Sequence, residues 1–221
     1  MKRLGWLLWK DTLTEARSLE RLGTLVLFAV VTLVTLSFAL PPDSTARPLV
    51  GAGFVWIAIV FASVLEFRRS FESERKDGTL DGLRASPLDS TLLFVSKALS
   101  TFLVVAIVTA ALVPLTRLFF GGRTAGIGAA IGIALLGAAG LIAWGTLFGA
   151  VVGSSRAADV VLPILLFPLV VPQTIAVVRL LACYLGGVTL GSVSTGWLLL
   201  LAFDGLAWGT SVLLFEYVLD E

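Results

Sequence analysis

Apolar residues run along this chain in blocks too long for the one-sided stripe of a surface helix. A helix rises ~1.5 Å per residue, so about 20 residues cross a hydrocarbon core ~30 Å thick. Six blocks approach or exceed that length: Leu22 to Leu40, Leu49 to Leu65, Leu92 to Thr116, Ala125 to Gly153, Val160 to Val178 and Thr195 to Leu219. The expected fold is an all-α integral membrane protein with six transmembrane helices in a single domain, 1–221. Ser37-Phe38-Ala39 resembles a signal-peptide cleavage site. However, the apolar stretch before it is too long and follows 21 residues with three acids, so the first block reads as an uncleaved helix.

Two polar stretches interrupt the pattern. In residues 1–21, Trp6, Leu8, Trp9, Leu13, Ala16 and Leu19 fall on one side of a helix, opposite Arg3, Lys10, Asp11, Glu15, Arg17 and Arg21. Such a helix lies on membrane lipid with its indoles at headgroup level, and a plain anchor satisfies the pattern equally well.

The second stretch, Glu66 to Asp89, holds eleven charged residues between two apolar blocks. Phe67 and Phe71 share a helical face, and Arg68, Glu72 and Arg75 have salt-bridge spacing. Gly78 is placed to end that helix, Thr79 to cap a short one carrying Leu80 and Leu83, and Ser86-Pro87 to break the chain before the next span. A charged run is often merely solvated, but a passive connector needs only a few residues. The length therefore favours a docking surface for a soluble partner. Phe67, Phe71, Leu80 and Leu83 would supply apolar anchors, and Glu72, Glu74, Arg75, Asp77 and Asp81 would orient the contact around Gly78.

Counting Lys and Arg orients the chain. Twelve fall on the segments that share a side with residues 1–21, and four (Arg47, Arg117, Arg123, Arg179) fall on the other. The positive-inside rule then puts both termini and the charged stretch in the cytoplasm.

Composition narrows the chemistry. At 57% hydrophobic and 14% charged residues the chain is a membrane protein, and a net charge of +1 gives no footing for nucleic acid. It has no histidine, which rules out imidazole ligation of a metal or haem and a Ser-His-Asp triad. Cys183, the single cysteine, can form neither an internal disulfide nor a thiolate metal site. None of Lys2, Lys10, Lys76 or Lys97 is followed by Ser or Thr, so the chain has no phosphate-binding loop of the G-x-x-x-x-G-K-[ST] kind. If ATP drives it, another subunit binds the nucleotide, and this chain is non-catalytic.

Three features inside the spans stand out. Gly128-xxx-Gly132 and Gly145-xxx-Gly149-xxx-Gly153, with Gly126, Gly137 and Gly140, have the spacing that lets helices approach closely in lipid. That spacing serves packing within the chain and across a homodimer equally. Pro163, Pro168 and Pro172 suggest a bent or re-entrant segment near the outer leaflet, either a hinge or a fixed shape. Asp204 interrupts the sixth block, where a carboxyl is costly unless paired, protonated or facing a polar cavity. It is expected to face the protein interior, with Arg179 as candidate partner, in a structural ion pair or a transport role.

A resemblance to a known family rests on Phe71, Glu74, Asp77-Gly78-Thr79-Leu80-Asp81, Leu83, Ser86-Pro87-Leu88-Asp89 and Lys97, on the proline-rich run Leu162 to Pro172, and on the ending Phe203 to Glu221. Across essentially its whole length the chain resembles the haem exporter protein B (CcmB) family. The resemblance implies an ABC-2-like permease subunit of a cytochrome c maturation complex in the bacterial inner membrane. The implied partners are a CcmA-like ATPase dimer docked on the 66–89 segment, CcmC-like and CcmD-like membrane proteins and a CcmE-like haem chaperone. ATP would be bound by the ATPase, and haem would be cargo. With no histidine and Met1 as its one methionine, the chain lacks the usual axial ligands to haem iron. Cys183, Tyr184 and Tyr217 are formal candidates, but packing is the commoner use of such residues, so haem is expected to be ligated by a neighbour and no cofactor to be held here. The alternatives are an exporter of a lipid, glycan or drug, and a membrane scaffold without moving parts.

Overall fold

The computed structural model describes residues 19–76, 90–121, 126–152, 158–186 and 194–220. They form six helices: α1 Leu19–Ala39, α2 Arg47–Lys76, α3 Ser90–Phe120, α4 Ile127–Val152, α5 Ala158–Gly186 and α6 Ser194–Asp220. There is no strand among the described residues. Helices α2 to α6 are each long and apolar enough to cross a membrane. The first expected span corresponds to α1, 21 residues, in which Val26–Ala39 form an apolar helix among the described residues. The expected amphipathic segment 1–21 lies largely outside the described residues.

Helix α4 occupies the middle, packed against α2, α3, α5 and α6, while α1 packs chiefly on α2 and α3. Its sequence explains the position, since no residue from Ile127 to Val152 is ionisable and many lack a sizeable side chain. Neighbours fill those gaps. At Gly137 a Cβ would meet Val177 of α5 at 2.5 Å and the Trp56 indole of α2 at 2.9 Å. At Gly145 it would overlap the ring of Phe67, itself fully buried. Gly149 is buried too. Gly128 and Gly132, by contrast, are exposed with nothing near a Cβ, so packing within the chain does not use them. Gly153 lies outside the described residues.

One guanidinium gathers an end of the bundle. Arg47, at the start of α2, donates from Nη1 to the carbonyls of Ser37 (3.2 Å), Leu40 (2.9 Å) and Pro41 (3.4 Å), and from Nη2 to that of Phe119 (2.7 Å). It also lies 5.7 Å over the Phe120 ring. The last carbonyls of a helix have no partner within it and carry its negative pole, so one cation completes the ends of both α1 and α3. Gly121 closes α3 at φ 77° and donates its N–H to the Arg117 carbonyl at 2.9 Å.

Two expectations change. Helix α5 is unbroken through Pro163, Pro168 and Pro172, so the segment is not re-entrant. A proline removes one donor, whereas a break in lipid would expose many unpaired backbone groups. Two of the prolines also lie towards the opposite end from that expected. Gly53 packs by Val178, and Trp56 bonds Thr174, so α5 runs antiparallel to α2. Pro163 and Pro168 therefore lie towards Phe67, on the side of the charged segment. Helix α2 does not end with its apolar block but continues to Lys76, 30 residues in all. That is about 45 Å, well beyond a hydrocarbon core of ~30 Å.

The two glycine classes should respond differently to added volume. Gly137→Val and Gly145→Val are expected to lower stability by about 1–3 kcal/mol through overpacking. Gly128→Val and Gly132→Val should change it by less than about 0.5 kcal/mol in the isolated chain. Thermal unfolding in detergent distinguishes the two outcomes.

Candidate functional site

Gln173 is the only glutamine in a chain without asparagine, and the fold sets this one carboxamide against the buried acid. Both side chains are almost completely enclosed, Gln173 at 2% exposure and Asp204 at 6%. The amide nitrogen Nε2 donates to the Gly137 carbonyl of α4 at 2.8 Å and to Asp204 Oδ1 of α6 at 2.7 Å. The opposite amide orientation would turn the carbonyl oxygen against two acceptors, so the hydrogen-bond pattern fixes this one. Asp204 Oδ2 and Gln173 Oε1 have no partner.

Gly140 makes the pair fit. A Cβ there would overlap Asp204 Oδ1 and press on Gln173 Nε2, so the acid and amide fill the space a side chain would take. One residue further along α5, Thr174 Oγ1 accepts from Trp56 Nε1 of α2 at 2.9 Å. Four helices are thus pinned at one level. That level is near mid-membrane, since Asp204 lies ten residues, or ~15 Å, along α6 from Ser194.

The expected partner of Asp204 is therefore corrected. Arg179 is exposed, and Asp204 bonds Gln173 instead. The expectation that Asp204 faces inward holds. Gln173 was legible only as a lone carboxamide after Pro172, a position that periodicity does not single out.

Towards the charged end the bundle closes on aromatic rings. Phe94 of α3 meets Trp208 edge-on at 5.7 Å and Phe215 at 5.2 Å, both on α6, with Ala143 and Leu147 of α4 beneath. Phe67, at 1% exposure and seated on Gly145, is part of the main core, which corrects its assignment as a docking anchor. Phe71, Glu72, Glu74 and Arg75 lie on the extension of α2, with side chains outside the described residues. Asp77, Gly78, Leu80, Asp81 and Leu83 are outside them altogether.

No group of three or more potential metal ligands occurs among the described residues. Cys183 and Tyr184 sit near the end of α5 that shares a side with Arg47, whereas Tyr217 is exposed near the far end of α6. They do not converge on one site.

The described residues thus form a bundle built around a glycine-lined helix, with a polar node near mid-membrane. The model of the family described as CcmB protein matches residues 2–214. The chain belongs to the CcmB family. Within it, the chain is 28% identical over 159 residues to Heme exporter protein B of Pseudomonas aeruginosa, covering 72% of this chain and 71% of that one. It is 26% identical over 150 residues to Heme exporter protein B of Bradyrhizobium diazoefficiens, covering 68% of each. This CcmB-family chain is accordingly a multi-pass integral membrane protein.

If the node is a coupled unit, its two members should not act independently. Gln173→Leu, which leaves Asp204 without its donor, is expected to cost about 1–3 kcal/mol. Asp204→Leu should cost a similar amount, and the double substitution clearly less than the two combined, with a coupling of roughly 0.5–3 kcal/mol. A double-mutant cycle of unfolding in detergent measures this, and strict additivity would contradict it.

Proposed function

We propose that the chain is the permease subunit of an ATP-driven haem exporter serving cytochrome c maturation, and that the charged end of α2 with the segment after it receives the ATPase. The carrying observation is the continuity of α2. One helix passes from Trp56, against Gly137 at mid-membrane, through Phe67, against Gly145, into the charged stretch ending at Lys76. A displacement of its outer end reaches α4 at two points, because both large side chains are seated in glycine gaps.

The cargo is taken from the names of the relatives, both Heme exporter protein B. ATP binding falls to a CcmA-like ATPase dimer, consistent with the lack of a phosphate-binding loop in this sequence. CcmC-like and CcmD-like membrane proteins and a CcmE-like chaperone complete the assembly. Without histidine, and with Met1 as its one methionine, this subunit leaves haem ligation to a neighbour and does mechanical work. The excess of Lys and Arg on the Lys76 side supports a cytoplasmic position for it, with Arg47 on the opposite face.

Two phenylalanines one helical turn apart test the docking assignment. Phe71→Asp should abolish co-purification of the ATPase from native membranes and lower cytochrome c, with unfolding of the membrane part unchanged. Phe67→Asp should destabilise the bundle itself, because it buries a charge. Undiminished ATPase recovery with Phe71→Asp would reject docking at this segment. Normal cytochrome c levels after deletion of the gene would reject the cargo.

A further inference from the structure

The polar node leaves two atoms without partners, and both are acceptors as they stand: Asp204 Oδ2 and Gln173 Oε1. They belong to two planar groups already joined by the bond from Gln173 Nε2 to Asp204 Oδ1. The other amide hydrogen is committed to the Gly137 carbonyl. What the node lacks is a single hydrogen.

The geometry points to Asp204 as a proton-binding site, in which the carboxyl donates from Oδ2 to Gln173 Oε1 and closes a two-bond acid–amide ring. One proton satisfies both orphan atoms and removes the buried charge. A metal cation fits poorly, since hard cations take about six or more oxygens and two are open here.

Nor does a charged neighbour answer the carboxyl among the described residues. Helix α4 has no ionisable residue. On α3, Lys97 lies two turns from the start of the helix, and Arg117 lies in the last turn. On α5, Asp159 is in the first turn, Arg179 is exposed, and Cys183 and Tyr184 lie near the far end. Glu216, Tyr217 and Asp220 of α6 itself are more than two turns away. Glu66 of α2 is buried next to Phe67, towards the charged end.

The proton comes from water and returns to it, with no redox change. Closure of the seam between α5 and α6 takes it up, and opening to water releases it. Alkaline pH therefore favours the open seam. The cycle of an exporter built on this subunit gains a proton-linked step, whatever its cargo.

Because Gln173 is the only glutamine, glutamine labelled with carbon-13 at the side-chain carbonyl marks this one group without mutation. Infrared spectra of the labelled chain in lipid nanodiscs should show that carbonyl strongly hydrogen-bonded at neutral pH and released at alkaline pH. In the same samples a carboxylic-acid C=O band should be present at neutral pH, absent in Asp204→Asn and shifted in Gln173→Ala. A Gln173 carbonyl band that does not move with pH, carboxylate bands alone in the Asp204→Asn difference, or a band that follows sodium or potassium rather than pH would overturn the assignment. These readouts need neither haem nor the ATPase, so their failure is distinct from failure of the proposed function.

Discussion

The structure depends on the absence of side chains along α4 where its neighbours come closest. In lipid there is little hydrophobic drive to bring helices together, so association rests on close packing and internal hydrogen bonds. Gly137, Gly140 and Gly145 give α4 three gaps, and each takes a different kind of occupant: an indole with a valine, an acid–amide pair, and a phenyl ring. The occupants come from α2, α5 and α6. A helix richer in leucine would be equally apolar but could not hold its neighbours so near, and the amide could not reach the Gly137 carbonyl.

The same constraint, that polar groups in the membrane must find partners inside the protein, governs both ends and the centre. At the Arg47 end a cation takes the carbonyls that helix termini leave over, drawing α1, α2 and α3 together. At the centre the one carboxamide serves a carbonyl and a carboxyl at once. Towards the Phe67 end Phe94, Trp208 and Phe215 fill the space between α3, α4 and α6, and the buried Glu66 has an interaction of its own.

Much of the helical layout was legible because its signal is local. Long apolar blocks locate the crossings, and a charged stretch of this length marks the segment between α2 and α3. What pairs with what was less legible. Gly128-xxx-Gly132 and Gly145-xxx-Gly149 look alike as spacing, yet one faces open space and the other the core, because which face of α4 meets α2 is set by tertiary packing. Phe67 and Phe71 likewise share a helical face by spacing, but burial at Phe67 depends on Gly145, 78 positions away. Arg179 was the natural partner for Asp204 by charge alone. A neutral amide on the inner face of α5 outcompetes it, since a long charged side chain near a helix end gains more from water.

The position of the node relative to α2 links these observations. Trp56 sits on Gly137 and bonds Thr174, while Gln173, the adjacent residue, bonds the Gly137 carbonyl and Asp204. The indole of the projecting helix and the amide of the polar node therefore share both a glycine on α4 and a turn of α5. Trp56 thus fills the gap at the very glycine whose backbone carbonyl orients the amide, and the amide in turn donates to the acid. Helix α2 and a carboxyl at mid-membrane are in this way joined by a short run of direct contacts.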